Sequence, residues 1–299
     1  MPIYSENQFI FQNSNGVSLY IKREDLLHPV VSGNKFRKLK YNILEAKSLD
    51  CTTIITFGGA YSNHIVAVAY AGKKAGLKTI GIIRGDEIEK DVELNPTLKN
   101  AKLFGMELVF VSRSHYKNKH ESEYVDELKA KYGSFYLVPE GGTNHFGVKG
   151  CEEILEPTDT LFDYIACSVG TGGTISGLIN SLKEHQKVLG FPALKGAFIK
   201  EDIRKFAKNN QWDLISDYHF GGYAKINSDL VRFINTFKSD FNIPLDPVYT
   251  GKMMYGLFDK IEKNHFPDGS KILAIHTGGL QGIEGMNLKL EKQKLPKLI

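Results

Sequence analysis

The chain has 299 residues, enough for one large domain or two smaller ones, and its 42% hydrophobic and 24% charged residues are typical of a globular protein. The net charge of +4, from 38 basic and 34 acidic residues, is too balanced to indicate a nucleic-acid partner and favours small anions only weakly. The N-terminus lacks the pattern of a signal peptide, and no stretch approaches the ~18 apolar residues of a membrane helix, so we expect a cytoplasmic protein without a membrane segment.

Short apolar runs alternate with helix-like stretches along the chain. Strands are predicted at 52–57, 78–84, 106–111, 134–139, 164–169, 194–199 and 271–279. Helices are predicted at 65–76, 95–105, 121–133 and 175–185. This repeated order of strand, turn and helix predicts an α/β protein with parallel sheets, whose functional sites lie at the carboxyl ends of the strands. We expect the sheets to belong to two domains.

The cysteines do not indicate a metal site. Cys51, Cys151 and Cys167 lack C-x-x-C spacing and are interpreted as reduced core residues.

The segment "SGNKFRKLK" (32–40) contains the first candidate for chemistry, Lys35. A solvated surface amine is the ordinary interpretation of a single lysine. A nucleophilic lysine needs burial or cationic neighbours to be uncharged near pH 7. Arg37 and Lys38 are such neighbours in the sequence, and Gly33 with Asn34 forms a turn that could direct Lys35 into a cleft.

Glycine-rich loops follow several of the apolar runs. In "GGAYSNH" (58–64), Ser62 or Asn63 could cap the next helix, or the loop could hold a substrate carboxylate on its backbone N–H groups. The loops "EGGTNHFG" (140–147) and "HTGGLQG" (276–282) have a similar position and composition. Four such loops in one chain, including the one described next, are difficult to explain as turns alone.

The fourth loop, "SVGTGGTISG" (168–177), has four closely spaced glycines between a strand and a helix. Its backbone could approach a phosphate at the helix N-terminus. The third glycine of the dinucleotide fingerprint is replaced by Ile175, and the lysine motif of nucleoside-triphosphate loops is absent. A phosphate loop and a separate lysine in a turn are what pyridoxal phosphate requires.

The segments "SGNKFRKLKY", "GGAYSNH", "GTGGT" and "PVYTGKMMYG" together resemble the fold-type II pyridoxal-phosphate enzymes of the 1-aminocyclopropane-1-carboxylate (ACC) deaminase and D-cysteine desulfhydrase family. The resemblance extends from about Lys22 to Gly279. It implies a two-domain, three-layer αβα fold of the tryptophan synthase β type, with a largely parallel sheet in each domain. The larger domain would contain residues 1–35 and 146–299, the smaller one residues 36–145, and the protein would be a homodimer acting on a small amino acid.

The resemblance also implies which residues bind the cofactor, pyridoxal 5'-phosphate. Lys35 matches the Schiff-base lysine, Lys38 a phosphate contact, and Asn63 the asparagine that bonds the cofactor's 3-hydroxyl. The phosphate loop corresponds to Gly170, Thr171, Gly172, Gly173 and Thr174.

On the substrate side, Ser62 matches the active-site serine beside the substrate carboxylate, followed by Asn63 and His64. Tyr249 matches the tyrosine beside the substrate. Thr250 and Thr277 occupy the places where the family has residues near the pyridine nitrogen.

The chain departs from ACC deaminases at these last two positions, where that branch has glutamate and leucine. Tyr61 also replaces the glutamine that usually precedes the Ser-Asn pair in the family. Because a threonine hydroxyl favours a more neutral ring than a carboxylate does, we expect elimination of a β-leaving group from D-cysteine, giving pyruvate, ammonia and sulfide. The alternatives are ACC deamination to 2-oxobutyrate and ammonia, and a pyridoxal-phosphate-binding protein without catalytic activity.

Overall fold

The computed structural model describes residues 4–196 and 198–299, and its strands form two sheets. The larger sheet contains β1 (Asn7–Gln12), β2 (Ser18–Lys22), β7 (Tyr164–Val169), β8 (Lys187–Pro192), β9 (Trp212–Leu214) and β10 (Lys271–Ile275), in the order β1-β2-β10-β7-β8-β9. The smaller sheet contains β3 (Thr53–Gly58), β4 (Lys78–Arg84), β5 (Glu107–Val111) and β6 (Tyr136–Val138), in the order β5-β4-β3-β6.

Helices cover both faces of each sheet. Their bounds are α1 (Asn34–Ser48), α2 (Asn63–Ala75), α3 (Pro96–Leu103), α4 (Ser122–Tyr132), α5 (His145–Cys151), α6 (Gly173–Ser181), α7 (Phe198–Arg204), α8 (Ser228–Phe241), α9 (Thr250–Glu262) and α10 (Gly282–Lys292). One core of the larger sheet includes residues of α8 and α9, and the other includes residues of α6 and α7. The smaller sheet packs against α1, α2 and α3 on one face and α4 on the other. The predicted α/β class with layered parallel sheets is confirmed.

The parallel strands are the apolar runs of the sequence. Every residue of β3 is buried, as expected for a strand covered on both faces. All pairs in the smaller sheet are parallel, and in the larger sheet only β1 and β2 pair antiparallel. Because β2 also pairs in parallel with β10, the beginning and the end of the described chain belong to one sheet.

Local signals set the ends of the predicted helices. The Asn95 side chain accepts a hydrogen bond from the Leu98 N–H at 3.0 Å, and Pro96 occupies the first turn of α3. Helix α2 ends at Ala75, and its C-cap residue Gly76 has a φ of 75°, in the left-handed region. The predictions over 65–76 and 95–105 are therefore confirmed.

The strand predicted at 194–199 is wrong. None of its described residues is in a strand, and α7 begins at Phe198. The sheet instead uses β8, seven residues earlier, which pairs along β7 from Tyr164↔Lys187 to Val169↔Pro192. Pro192 has no backbone N–H to extend the pairing with β9, and the last bond to β7 runs from the Ala193 N–H to the Val169 carbonyl at 2.9 Å. Gly196 has a φ of 146°, and the chain turns away from the sheet there.

All strands of the smaller sheet lie between residues 53 and 138, within the segment expected to form the smaller domain. The division into domains at residues 35 and 145 stays a prediction. The three cysteines are free thiols; Cys151 and Cys167 are buried, whereas Cys51 is partly exposed. Among the described helices, none is both long enough and apolar enough to cross a membrane.

Candidate active site

A cleft of about 1460 Å³ lies where loops from the carboxyl ends of the two sheets meet. Most of the residues predicted for the site line it: Lys35, Lys38, Ser62, Asn63, His64, Gly170, Thr171, Gly172, Thr174, Tyr249 and Thr277. The loops after β3, β6, β7 and β10 supply its walls. Gly173 and Thr250 are not among the lining residues.

Lys35 lies in the first turn of α1 and points into the cleft. Its Nζ donates a hydrogen bond to the Gly141 carbonyl at 3.2 Å. Burial, and then the charge of Lys38, lower the pKa of Lys35 to about 7. The amine is therefore about half uncharged at neutral pH, as a nucleophile requires. The solvated-surface interpretation of this lysine does not describe the structure.

Gly33, which precedes α1, allows the close approach that places Lys35. A Cβ at Gly33 would lie 2.0 Å from the Thr277 carbonyl oxygen, so no side chain fits there. The φ of 59° at Gly33 also favours glycine.

Lys38 is buried beside the glycine loop of α6. Its Nζ donates to the Gly141 carbonyl at 3.1 Å and to Thr143 Oγ1 at 3.0 Å. A Cβ at Gly173 would lie 3.0 Å from the same Nζ, so the amine sits at the N-terminus of α6. Asn34 Nδ2 donates to Thr174 Oγ1 at 2.8 Å and joins α1 to this loop. A helix N-terminus beside a lysine suits a phosphate.

The 58–64 loop presents Ser62 and Asn63 to the cleft. Ser62 is the N-cap residue of α2, but its side chain makes no capping hydrogen bond. Asn63 Nδ2 donates to the Gly279 carbonyl at 3.2 Å. Its Oδ1 is buried without a hydrogen-bond partner among the described residues. Capping alone therefore does not explain either polar side chain.

His64 is a buried, neutral imidazole. Thr56 Oγ1 donates its one proton to the Val138 carbonyl at 2.8 Å, so it accepts from His64 Nε2–H at 2.8 Å. The other nitrogen, Nδ1, has no hydrogen-bond partner in the described part of the chain. Burial, followed by the charges of Lys35 and Lys38, holds the pKa of His64 well below its usual range.

Tyr249 stands over the glycine loop from α9. A Cβ at Gly170 would lie 3.1 Å from the Tyr249 ring, so glycine is needed beneath it. The Tyr223 ring packs edge-to-face on Tyr249 with centroids 6.2 Å apart. Burial and then the neighbouring Tyr223 raise the pKa of Tyr249 well above its usual range, and the phenol stays protonated. The sequence prediction missed Tyr223, for which the preceding Gly221-Gly222 turn was the available signal.

Thr250 and Thr277 occupy different surroundings. Thr250 is fully buried, and its hydroxyl donates to Asp246 Oδ2 at 2.8 Å. Thr277 lines the cleft, with its Oγ1 3.3 Å from Ser168 Oγ. The expectation that Thr250 faces a pyridine nitrogen stays a prediction, although its hydroxyl proton already has an acceptor.

Asp246 is a second residue that the sequence prediction missed. Its carboxylate lines the cleft and accepts backbone hydrogen bonds from Val248, Tyr249 and Thr250 at 2.8–2.9 Å. It thereby satisfies orphan N–H groups at the start of α9. Burial raises the pKa of Asp246, against the lowering effect of these bonds.

These residues fit pyridoxal 5'-phosphate. Lys35 would supply the amine, and Lys38 with the N-terminus of α6 would hold the phosphate. The unpaired Asn63 Oδ1 is an acceptor for the ring hydroxyl. The aldehyde, the phosphate and the ring hydroxyl of the cofactor would thus each meet a group of matching chemistry.

Comparison with known proteins agrees with this fit. The family model for pyridoxal-phosphate dependent enzymes matches residues 8–278. The Arabidopsis thaliana protein named bifunctional D-cysteine desulfhydrase/1-aminocyclopropane-1-carboxylate deaminase, mitochondrial, is 33% identical over 298 residues, which cover 90% of this chain and 74% of that protein. D-cysteine desulfhydrase of Yersinia enterocolitica is 29% identical over 290 residues, 88% of this chain and 87% of that one.

A crystal structure of an ACC deaminase homologue has a TM-score of 0.85 to this chain, at 32% identity and covering 98% of this chain and 95% of that one. The agreement extends over both sheets and the cleft between them. The chain therefore belongs to the pyridoxal-phosphate-dependent enzymes, in the ACC deaminase and D-cysteine desulfhydrase family, and its cofactor is pyridoxal 5'-phosphate.

Proposed function

We propose that the protein is a lyase that converts D-cysteine to pyruvate, ammonia and sulfide. The observation that supports this choice is the pair of hydroxyls, Ser168 and Thr277, at the ends of β7 and β10 in the floor of the cleft. The name of the Yersinia relative agrees with it.

The acidic side chains among the described lining residues are all engaged. Glu140 pairs with Lys119 at 3.5 Å and Asp202 with Lys205 at 2.6 Å. Both oxygens of Asp246 accept hydrogen bonds from its own turn. A hydroxyl at the pyridine nitrogen favours a more neutral ring than a carboxylate would. Such a pyridine ring withdraws enough electron density for the removal of an activated Cα proton and the loss of a good leaving group. Opening a cyclopropane demands stronger electron withdrawal.

The bound cofactor supplies an electron sink for the carbon atoms of the substrate. Lys35, with its pKa near neutrality, takes the Cα proton. Ser62 and Tyr249 hold the carboxylate side of the substrate, next to Asn63 and His64. The N-terminus of α6 and Lys38 hold the phosphate in place.

The assembly and location follow from the family resemblance. We infer a homodimer in the cytoplasm, with residues 36–145 as a smaller domain that carries Ser62 and Asn63.

A second candidate is ACC deamination to 2-oxobutyrate and ammonia. The structural likeness to an ACC deaminase homologue and the bifunctional name of the Arabidopsis relative favour it.

A product assay distinguishes the two reactions. We expect D-cysteine to be converted with a kcat/KM at least ~100-fold above that for ACC, about 2.7 kcal/mol of transition-state preference. L-cysteine serves as the stereochemical control. Comparable or greater activity on ACC would move the deaminase to first place.

Variants at Thr277 test the hydroxyl argument. Thr277→Leu should reduce the ratio of kcat/KM for D-cysteine to kcat/KM for ACC, whereas Thr277→Ser, which keeps a hydroxyl, should preserve this ratio. The double variant Thr250→Glu, Thr277→Leu should reduce it further. An unchanged ratio in Thr277→Leu would show that this hydroxyl does not choose the reaction.

A further inference from the structure

Arg84 is a cation of the cleft that the proposed reaction does not yet use. It is the last residue of β4 and lines the cleft beside the 58–64 loop. Its Nη2 lies 3.5 Å from the Cβ position built on Gly59. The guanidinium carbon lies 5.8 Å from the centre of the Tyr116 ring. The side chain therefore lies along the wall that includes Ser62 and Asn63.

The charge of Arg84 has no anionic partner among the side chains that the structure describes, which are those of residues 4–90, 92–196 and 198–299. Tyr116 is an aromatic contact, and no hydrogen bond or ion pair joins Arg84 to a described residue. Three other cations lining the cleft are paired: Arg113 with Glu87, Lys119 with Glu140, and Lys205 with Asp202. Lys289 donates to the Ala224 carbonyl at 2.6 Å, and Lys292 is exposed. The half-buried guanidinium has five N–H donors, which can bind an anion that enters the cleft.

The guanidinium also lies on the substrate side of the cleft. After the larger effects of burial and of Tyr249, Glu140 raises and Arg84 lowers the pKa of Tyr223, and the Tyr223 ring contacts Tyr249. The phosphate region at the start of α6 has its own cation, Lys38. A group that reaches Arg84 would therefore extend from an amino acid held at the 58–64 loop, away from the phosphate.

We propose that Arg84 binds a negatively charged group on the side chain of the amino-acid substrate. The inference rests on the proposed function, because it concerns the β-substituent of an amino acid in that site. In D-cysteine elimination the Cβ–S bond breaks with both electrons on sulfur, and the Cα proton goes to Lys35. Hydrosulfide thus leaves as an anion, and water supplies the pyruvate oxygen as ammonia departs. Arg84 donates N–H groups to that anion. A side-chain carboxylate in the same place would accept two parallel hydrogen bonds from the guanidinium.

The test compares two amino acids of equal shape, D-aspartate and D-asparagine, which differ in side-chain charge. Their binding to the holoenzyme is followed by the absorbance of the bound cofactor. We expect D-aspartate to bind at least about tenfold more tightly, as a charge-assisted hydrogen bond predicts. In Arg84→Gln the two affinities should become similar, and Arg84→Lys should keep part of the difference. Arg113→Gln removes the same charge from a paired, exposed residue and should leave the ratio unchanged.

Equal binding of the two probes by the wild type would overturn the proposal, and so would an unchanged ratio in Arg84→Gln. Thermal unfolding shows whether each variant is folded, and Arg84→Lys gives a second measurement if Arg84→Gln is not. D-cysteine separates this inference from the proposed function. If D-cysteine is converted but the probes bind equally, only the role of Arg84 fails. If no amino acid changes the spectrum or yields a 2-oxoacid, the proposed function fails with it.

Discussion

Replacing Lys38 by methionine should raise the pKa of Lys35. Both Nζ atoms donate to the Gly141 carbonyl, at 3.2 and 3.1 Å, so they lie at most about 6 Å apart. Burial is the larger cause of the lowered pKa of Lys35, and Lys38 is the second. Methionine has nearly the same shape as lysine, so Lys38→Met removes the charge and retains the burial.

The size of the effect follows from Coulomb's law. Two unit charges about 6 Å apart repel by roughly 0.7 kcal/mol in water and roughly 2.8 kcal/mol at an effective dielectric constant of about 20. These energies correspond to about 0.5–2 pKa units. We therefore expect the pKa of Lys35 to rise from about 7 to about 8 in Lys38→Met, while burial keeps it below 10.5.

Competitive reductive methylation of the cofactor-free protein measures this pKa. Modification of the peptide containing Lys35 is quantified by mass spectrometry between about pH 5 and about pH 10, which spans about two units on either side of the expected midpoints. Lys40→Met is the control, because Lys40 is exposed and paired with Glu153 at 2.7 Å. A Lys35 midpoint that stays the same or falls in Lys38→Met would refute the electrostatic argument.

Three further predictions concern stability and cofactor binding. Between pH about 7 and 10.5 the unfolded Lys35 holds a proton that the folded one has released, so wild-type stability rises with pH in this window. Lys35→Met should therefore stabilise the cofactor-free protein at pH 7 and lose that advantage by pH 10, which denaturation at both values measures. Asp246→Asn should lower the free energy of unfolding by about 2 kcal/mol in urea titrations, because an amide donor would face the N–H and hydroxyl of Thr250; a loss below about 0.5 kcal/mol would contradict this. Asn63→Ala should weaken pyridoxal phosphate binding about tenfold in equilibrium dialysis, since it removes the unpaired Oδ1, and unchanged affinity would exclude that contact.

The parts of the fold that could be predicted are those with local signals. The apolar runs of β3 and β7 end in glycines, so both the strands and the loops at their carboxyl ends are evident in the sequence. The run at 194–199 failed because its composition suits a strand, while Pro192 and Gly196 turn the chain away from the sheet. The apolar content of a short run does not determine which strand it pairs with.

The parts of the site that escaped prediction depend on contacts between distant residues. Asp246 is a single carboxylate in an irregular segment, and only the fold shows that it accepts a hydrogen bond from the Thr250 N–H at the start of α9. Arg84 ends an ordinary strand, and only the positions of the surrounding charges show that no described side chain forms an ion pair with it. Lys35 was recognised from its motif, but its lowered pKa depends on burial that no local pattern specifies.

The start of α1 is fastened to the larger sheet. Gly33 lies against the Thr277 carbonyl, Asn34 bonds Thr174, and Arg37 forms an ion pair with Glu24 at 2.7 Å. If the smaller sheet swings outward to admit an amino acid, Lys35 and the α6 loop would stay together as one unit. The wall that moves would be the one holding Ser62, and the contacts of Asn63 to Gly279 and Gln281 would have to break. Such an enzyme could change its substrates many times without releasing its cofactor, and amino-acid specificity could evolve on the moving wall while the anchoring of the lysine stayed constant.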